Sequence, residues 1–205
     1  MTGVQTCALP ISWPPRNFAA RSGQPRIAVE NRGRFGQQLF VDNINLKLDP
    51  TTKFTVNDTT ICAGTSVNFT DQSTGLVNGW SWSFPGGTPS TSTQQNNSVI
   101  YNTPGIYNVV LTTTNASGSQ AKTKTGYINV FANPVPVITA AGVVMTCSIS
   151  GIGYQWYFNN NLITGATQQT YTALQNGNYT VSVVDINGCS GSSVPFAMTS
   201  VSTVH

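Results

Sequence analysis

The sequence predicts an all-β protein that contains two β-sandwiches in tandem. Short segments alternate apolar and polar residues and are separated by clusters of turn-forming residues, a pattern typical of half-buried strands. No stretch keeps apolar residues at helical spacing over several turns. A motif near the middle of the chain recurs 72 residues later, which indicates two successive units of similar design.

The first residues differ from this pattern. Residues 1–25 show neither strand nor helix periodicity, and we expect them to be a disordered or artefactual leader. Met1–Ser12 resembles a translated sequencing adapter; it does not read as a secretory signal, because its short apolar stretch has no basic start and contains a proline. Residues 26–50 resemble the closing hairpin of a jelly-roll domain found in secreted bacterial zinc metalloproteases. That resemblance implies remnant strands of an upstream domain.

Charge is scarce in this chain. Only 7% of the residues are charged, against about a quarter in an average soluble domain. The formal net charge of +3 comes from Arg16, Arg21 and Arg26, so residues 27–205 sum to zero. We therefore expect no nucleic-acid partner, and no membrane insertion, because no apolar run approaches the ~20 residues that span a bilayer.

The same scarcity argues against catalysis. From Phe54 onward the only acidic residues are Asp58, Asp71 and Asp185, and the only histidine is His205. General acid–base chemistry, zinc hydrolysis and serine triads all need titrating or ligating groups that this region lacks. The sequence thus predicts a protein that is not an enzyme, with no catalytic, cofactor-binding or metal-binding residues.

The first unit carries four motifs in order. They are Val67–Gly75 (VNFTDQSTG), Trp80–Gly87 (WSWSFPGG), Val99–Val109 (VIYNTPGIYNV) and Asn115–Gly118 (NASG). Together they resemble a PKD (polycystic kidney disease) domain, an immunoglobulin-like module of secreted bacterial proteins, which we expect over residues 51–132. The family's usual Trp-Asp-Phe-Gly-Asp-Gly stretch lacks both aspartates here, so no cation role is transferred.

The second unit, expected over residues 133–205, is similar to the immunoglobulin-like modules that follow PKD domains in surface and secreted proteins of Bacteroidetes. The similarity lies in Tyr154–Asn160 (YQWYFNN), Gly165–Tyr171 (GATQQTY), Asn176–Tyr179 (NGNY) and Asp185–Cys189 (DINGC). Such modules often precede a sorting signal for type IX secretion. The resemblance implies that the chain is a C-terminal fragment of a secreted multidomain protein.

The repeat identifies the aromatic residues of both cores. It aligns Tyr107 with Tyr179 and Phe84 with Trp156. In immunoglobulin-like sandwiches the aromatic strand fills the core, and the tyrosine hydroxyl bonds back to the main chain as a tyrosine corner. The predicted core aromatics are Trp82, Phe84, Tyr107, Trp156 and Tyr179.

The cysteines leave two interpretations open. Cys147 falls on the inward parity of its strand, and Cys189 is its one candidate partner for a disulfide, provided that their Cα atoms come within about 7 Å. The alternative is that both are unpaired thiols and that Cys147 acts as a small core residue. Cys62 is expected to be unpaired.

Aromatic side chains could also form a sugar-stacking surface. Trp80, Trp82 and Trp156 would have to be exposed for this, whereas the fold favours them as core residues. Tyr157 lies on the opposite strand face and is the better candidate for an exposed contact.

These observations predict non-catalytic, monomeric spacer or adhesion modules of a larger secreted or cell-surface bacterial protein. Their partner would be an extracellular polysaccharide or protein. Two alternatives remain: the C-terminal accessory region of a secreted zinc metalloprotease, and a carbohydrate-binding module of a secreted glycanase.

Overall fold

The structure is a computed structural model that describes residues 48–201. The predicted leader, residues 1–25, and nearly all of the predicted remnant strands, residues 26–50, lie outside the described residues. All described residues belong to one compact unit, Leu46–His205. They form strands and turns without a helix, and no segment among them is a helix of the length and apolarity needed to cross a membrane.

The first half of the described chain folds into a sandwich of two sheets. Its strands are β1 (Phe54–Val56), β2 (Thr60–Cys62), β3 (Thr65–Asp71), β4 (Gly79–Ser83), β5 (Gly87–Thr88), β6 (Thr91–Ser92), β7 (Asn97–Tyr101), β8 (Gly105–Asn115) and β9 (Gly118–Phe131). One sheet has the order β1-β3-β7-β5, and the other has the order β2-β9-β8-β4-β6. All pairings are antiparallel except that of β2 with β9, which is parallel.

The long hairpin of β8 and β9 occupies the middle of the second sheet. Asn115 shapes its turn, because the side-chain oxygen accepts the N–H groups of Ser117 at 2.8 Å and Gly118 at 3.1 Å. The register between the strands shifts between Tyr107 and Val109, as a β-bulge does. The turn and the bulge together fix the register between β8 and β9.

Aromatic rings fill the core between these sheets. Trp82 stands in the middle, edge-on to Phe54 at 5.1 Å and stacked on Phe84 at 5.4 Å between ring centroids. Such pairs add to the stabilisation from burial of their surface. The buried apolar residues are Phe54, Ile61, Val67, Phe69, Trp82, Phe84, Val99, Tyr101, Val109, Leu111, Ile128 and Val130.

The second half forms another, smaller sandwich. Its strands are β10 (Ile138–Ala141), β11 (Val144–Cys147), β12 (Gly153–Phe158), β13 (Asn161–Leu162), β14 (Thr170–Thr172), β15 (Gly177–Val184), β16 (Ser190–Ser192) and β17 (Phe196–Met198). One sheet has the order β10-β11-β14. The other has the order β13-β12-β15-β16, and β17 pairs with the first part of β15.

This sandwich has a core of its own. Trp156 is fully buried, and its ring packs on Tyr171 at 5.9 Å between centroids. The buried apolar residues are Ile138, Met145, Cys147, Trp156, Ala166, Ala173, Tyr179, Val181, Val183 and Met198. The two cores lie on either side of the segment 132–137, which belongs to no strand.

Candidate functional site

A disulfide bond joins the two sandwiches. Cys62, the last residue of β2, is bonded to Cys189, which directly precedes β16, with a Cα–Cα distance of 5.5 Å. Cys62 is half-buried and Cys189 is fully buried. The bond spans 127 residues and closes a loop that contains most of both domains.

Strand pairing brings Cys62 to the start of the linker. In the parallel pair of β2 and β9, Cys62 lies opposite Phe131, the last residue of β9. The next residue, Ala63, donates its N–H to the carbonyl of Phe131 at 2.9 Å and accepts a hydrogen bond from the Asn133 side chain at 3.0 Å. The chain therefore leaves the first sandwich directly beside this cysteine.

A side-chain turn holds Cys189 in place on the other side. The carboxylate of Asp185 accepts the N–H groups of Asn187 and Cys189, both at 2.9 Å. Two residues later, Gly191 passes so close to the linker that a Cβ atom there would overlap the carbonyl oxygen of Pro134. The linker is thus held against both sandwiches at the place where the disulfide crosses.

This pairing corrects the predicted one. The candidate bond between Cys147 and Cys189 does not form, and the expectation that Cys62 is unpaired is wrong, because Cys62 takes the place of Cys147 as the partner of Cys189. Cys147 is a free thiol, fully buried in the second core. It lies on β11 in one sheet, whereas Cys189 lies beside the other sheet at the junction between the domains.

The tyrosines of the repeat make equivalent hydrogen bonds. The hydroxyl of Tyr107 donates to the carbonyl of Thr103 at 2.8 Å, and that of Tyr179 donates to Gln175 at 2.9 Å. Each acceptor lies four residues upstream, which is the geometry of a tyrosine corner. Tyr179 is buried, whereas Tyr107 is half-buried and packs against the first core.

The tryptophans do not form an exposed strip. Trp82 and Trp156 are buried, and each Nε1–H donates to a carbonyl twelve residues downstream, of Gln94 at 2.9 Å and Gln168 at 2.8 Å. The hydrogen bond of Trp156 is thus equivalent to that of Trp82, although the sequence repeat aligns Trp156 with Phe84. Trp80 is half-buried and donates to Asp71 at 2.8 Å.

Asp71 is the most connected carboxylate among the described residues. It accepts hydrogen bonds from the N–H of Ser73 at 2.9 Å, from Trp80 and from the Gln95 amide at 3.2 Å. Burial by itself would raise the pKa of Asp71, but these hydrogen bonds outweigh it and lower the pKa below its usual 3.8. The carboxylate therefore stays ionised and ties β3 to β4 in the opposite sheet.

A cleft opens at one side of the second sandwich. It measures about 340 Å³ and lies where β13 and β14, the last strands of the two sheets, each have a single pairing partner. Its lining combines three aromatic rings, two exposed leucines and neutral amide side chains. The lining residues are Phe158, Asn161, Leu162, Ile163, Thr164, Tyr171, Leu174, Gln175 and Tyr179.

Tyr157, the predicted exposed contact, does not line this cleft. It is half-buried on β12, opposite Leu162 and Thr180 of the neighbouring strands. The cleft was missed at the sequence level because Tyr171 and Leu174 lie outside the aromatic strand. Their place in the fold depends on how the two sheets pack.

The comparisons with known proteins agree with this geometry. The family model described as PKD domain matches residues 47–130, the region that holds the first core and the first tyrosine corner. The chain contains a PKD domain. Its PKD domain keeps a buried aromatic strand and a tyrosine corner, although Ser83, Pro85 and Gly86 differ from the family's usual residues.

Several solved structures share general likeness with the chain. A carbohydrate-binding module of the β-sandwich superfamily has 20% identity over 68% of this chain and 56% of that one, with a TM-score of 0.39. Fibronectin(III)-like modules of Clostridium thermocellum CbhA have 13% identity over 71% and 91%, with a TM-score of 0.34. Murine CEACAM1b has 13% identity over 74% and 99%, with a TM-score of 0.31.

The chain spans little more than half of the carbohydrate-binding-module structure. No curated protein matched the sequence. A PKD domain and a disulfide are both typical of extracellular β-sandwich modules, and such modules are typically non-catalytic. Among residues 48–201, no cluster of three or more His, Cys, Asp or Glu side chains could hold a metal ion.

Proposed function

We propose that the PKD domain and the second sandwich act together as one covalently closed spacer in a larger secreted or cell-surface protein. The observation that carries this proposal is the bond between Cys62 and Cys189, which joins the two domains outside their linker. A spacer has to keep its domains in a constant relation, and a second covalent connection limits motion about the linker.

Two further features support this function. Disulfides persist in oxidising extracellular compartments, so the bond suits a secreted protein. Between residues 48 and 201 the chain has only three lysines and four aspartates, and Ser, Thr and Asn supply the polar surface instead. Such a surface suits a structural module better than one that has to activate a substrate.

Motion of the domains tests the proposal. In ¹⁵N relaxation measurements on the oxidised protein, both sandwiches should tumble with one rotational correlation time. The variant Cys62→Ser should give two shorter and different values, whereas Cys147→Ala, which keeps the bond, should behave as the unchanged protein. Independent tumbling in the oxidised protein would overturn the spacer function.

The cleft of the second sandwich favours an additional role in adhesion to a neutral glycan. Sugar rings stack on aromatic side chains, and their hydroxyls pair with neutral amides such as those of Asn161 and Gln175. Residues 134–201 contain a single charged residue, Asp185, so the cleft suits an uncharged ligand. Binding sites of this size typically combine an apolar lining with a few polar groups.

Titration with neutral gluco-, xylo- and manno-oligosaccharides, followed by chemical shifts, tests this role. We expect one series to shift the signals of the cleft, and Tyr171→Ala to abolish the response. Tyr157→Ala is the matched control, because Tyr157 is an aromatic residue outside the cleft. No response to any series, or equal loss in both variants, would reject glycan binding at this place.

The proposal also includes the sequence-based predictions about the source and the parent protein of this chain. They concern a Bacteroidetes source, type IX secretion, and a parent protein that is a metalloprotease or a glycanase. The parent gene tests them directly. A His-Glu-x-x-His motif upstream of the PKD domain would favour a metalloprotease, and a parent made only of repeated β-modules would exclude both enzymes.

A further inference from the structure

We propose that the Cys62–Cys189 bond conducts tension past both hydrophobic cores, so that a pulled chain extends only in the segments outside the covalent loop. This inference rests on the proposed spacer function, because a spacer between a surface and a ligand is stretched along its chain. It adds a fixed limit to the length that the spacer can reach.

The loop closed by the disulfide contains nearly all of both cores. Of the twelve buried apolar residues in the PKD core, only Phe54 and Ile61 precede Cys62. Of the ten in the second core, only Met198 follows Cys189. The linker lies inside the loop as well.

The bond shortens the path that tension takes. Tension that arrives through β2 reaches Cys62 and crosses directly to Cys189, then leaves through β16 and β17. Without the bond, the same tension would continue from Cys62 into β3 and through every later strand of both sandwiches. Once the pairings of β1, β2, β16 and β17 with the rest of the protein have broken, the strands from β3 to β15 are therefore loaded only in the reduced protein.

The pairings outside the loop are short. β1 meets β3 over three residue pairs, β2 meets β9 over three, and β16 and β17 each meet β15 over three. These pairings yield first under tension. The length that they release is small, because they belong to the segments 48–61 and 190–201.

Single-molecule stretching of the full chain, held at its two ends, measures this path. The oxidised protein is compared with Cys62→Ser/Cys189→Ser, and Cys147→Ala is the control that keeps the bond. An extended chain spans about 3.3–3.6 Å per residue, so the 127-residue separation predicts a final length about 420–460 Å greater in the double variant. Equal final lengths would overturn the proposal.

The buried thiol of Cys147 reports on the second core during the same experiment. With Cys7→Ser in every chain, Cys147 is the only cysteine thiol of the oxidised protein, and it is fully buried. Its labelling by a maleimide should stay slow under tension in the oxidised protein and become fast in the double variant. Fast labelling in the oxidised protein under tension would show that the core is loaded.

Two features keep the outcomes separable. A double variant that fails to fold still gives the final length, and the oxidised protein with and without tension still gives the labelling comparison. The relaxation experiment on the spacer uses no tension. One correlation time combined with fast labelling of Cys147 under tension in the oxidised protein would therefore reject the tension path and retain the spacer.

Discussion

Gly86 illustrates how a single backbone position supports a tyrosine corner. Its φ is +77°, and a Cβ atom there would overlap the ring of Tyr107. Gly165 has the same φ of +77°, but a Cβ atom there would have no neighbour within 4 Å. Comparing an alanine substitution at each of these two glycines therefore separates the cost of backbone strain, which both share, from the cost of a steric clash, which only Gly86 has.

We expect Gly165→Ala to lower the free energy of unfolding by about 1–2 kcal/mol, the cost of a left-handed conformation for a residue with a side chain. Gly86→Ala should cost about 1–3 kcal/mol more, because the Tyr107 ring has to move. Urea denaturation measures both values. Equal losses would show that the ring adapts without cost.

Tyr101 is a buried residue whose hydroxyl has no hydrogen-bond partner in the described part of the chain. Burial, with a smaller contribution from the neighbouring Tyr107, raises the pKa of Tyr101 to about 12. A buried polar group without a partner costs about 1–3 kcal/mol.

Replacing Tyr101 by phenylalanine should therefore leave the protein equally stable or stabilise it by up to about 1 kcal/mol. Tyr179→Phe is the control, since its hydroxyl donates to Gln175 and its loss should destabilise by about 1 kcal/mol. Thermal unfolding compares them. A clear loss of stability in Tyr101→Phe would mean that its hydroxyl has a partner, such as water.

At the scale of the strands, Asp71 joins the end of β3 to Trp80 on β4 and to Gln95 before β7. Asp71→Asn places an amide N–H₂ against one of these donors or against the N–H of Ser73. We expect a loss of about 1–2 kcal/mol in unfolding free energy. Asp58→Asn is the control, because Asp58 accepts one hydrogen bond, from Thr60.

The pH dependence follows from the lowered pKa of Asp71. A carboxylate whose pKa is lower in the folded protein stabilises it above the unfolded value, here 3.8, and this contribution is lost as the pH falls further through the folded pKa. The difference between the protein and Asp71→Asn should thus be constant near neutral pH and shrink below about pH 4. A constant difference down to pH 2 would contradict the assignment.

For the whole molecule, the disulfide couples the stabilities of the two sandwiches. A closed loop of 127 residues stabilises by up to about 5 kcal/mol on the loop-entropy model. Cys62→Ser/Cys189→Ser should unfold at lower urea concentration and in two transitions, one for each core. Cys147→Ala should keep a single transition. Two transitions in the oxidised protein would show that the cores unfold independently.

Much of this fold could be predicted from local sequence patterns. The alternation of apolar and polar residues depends on the two-residue period of a strand, and the repeated Gly-x-Tyr motif led to both tyrosine corners, at Tyr107 and Tyr179. The motifs of the first unit led to the PKD domain at residues 47–130. Each of these signals is confined to a few neighbouring residues or to one domain, so it can be recognised without knowing how the domains meet.

The disulfide and the cleft required the tertiary structure. A pair of cysteines bonds only when their Cα atoms approach within about 7 Å, and the partner of Cys189 depended on the end of β2 meeting the second sandwich. The alternation of residues along β11 correctly predicted that the Cys147 side chain faces the core. It contained no information on the distance between Cys147 and Cys189. The cleft likewise arises between the edges of two sheets. Its lining residues all lie within residues 158–179, but packing between the sheets, and not strand periodicity, brings Leu162 and Tyr171 to the same cleft.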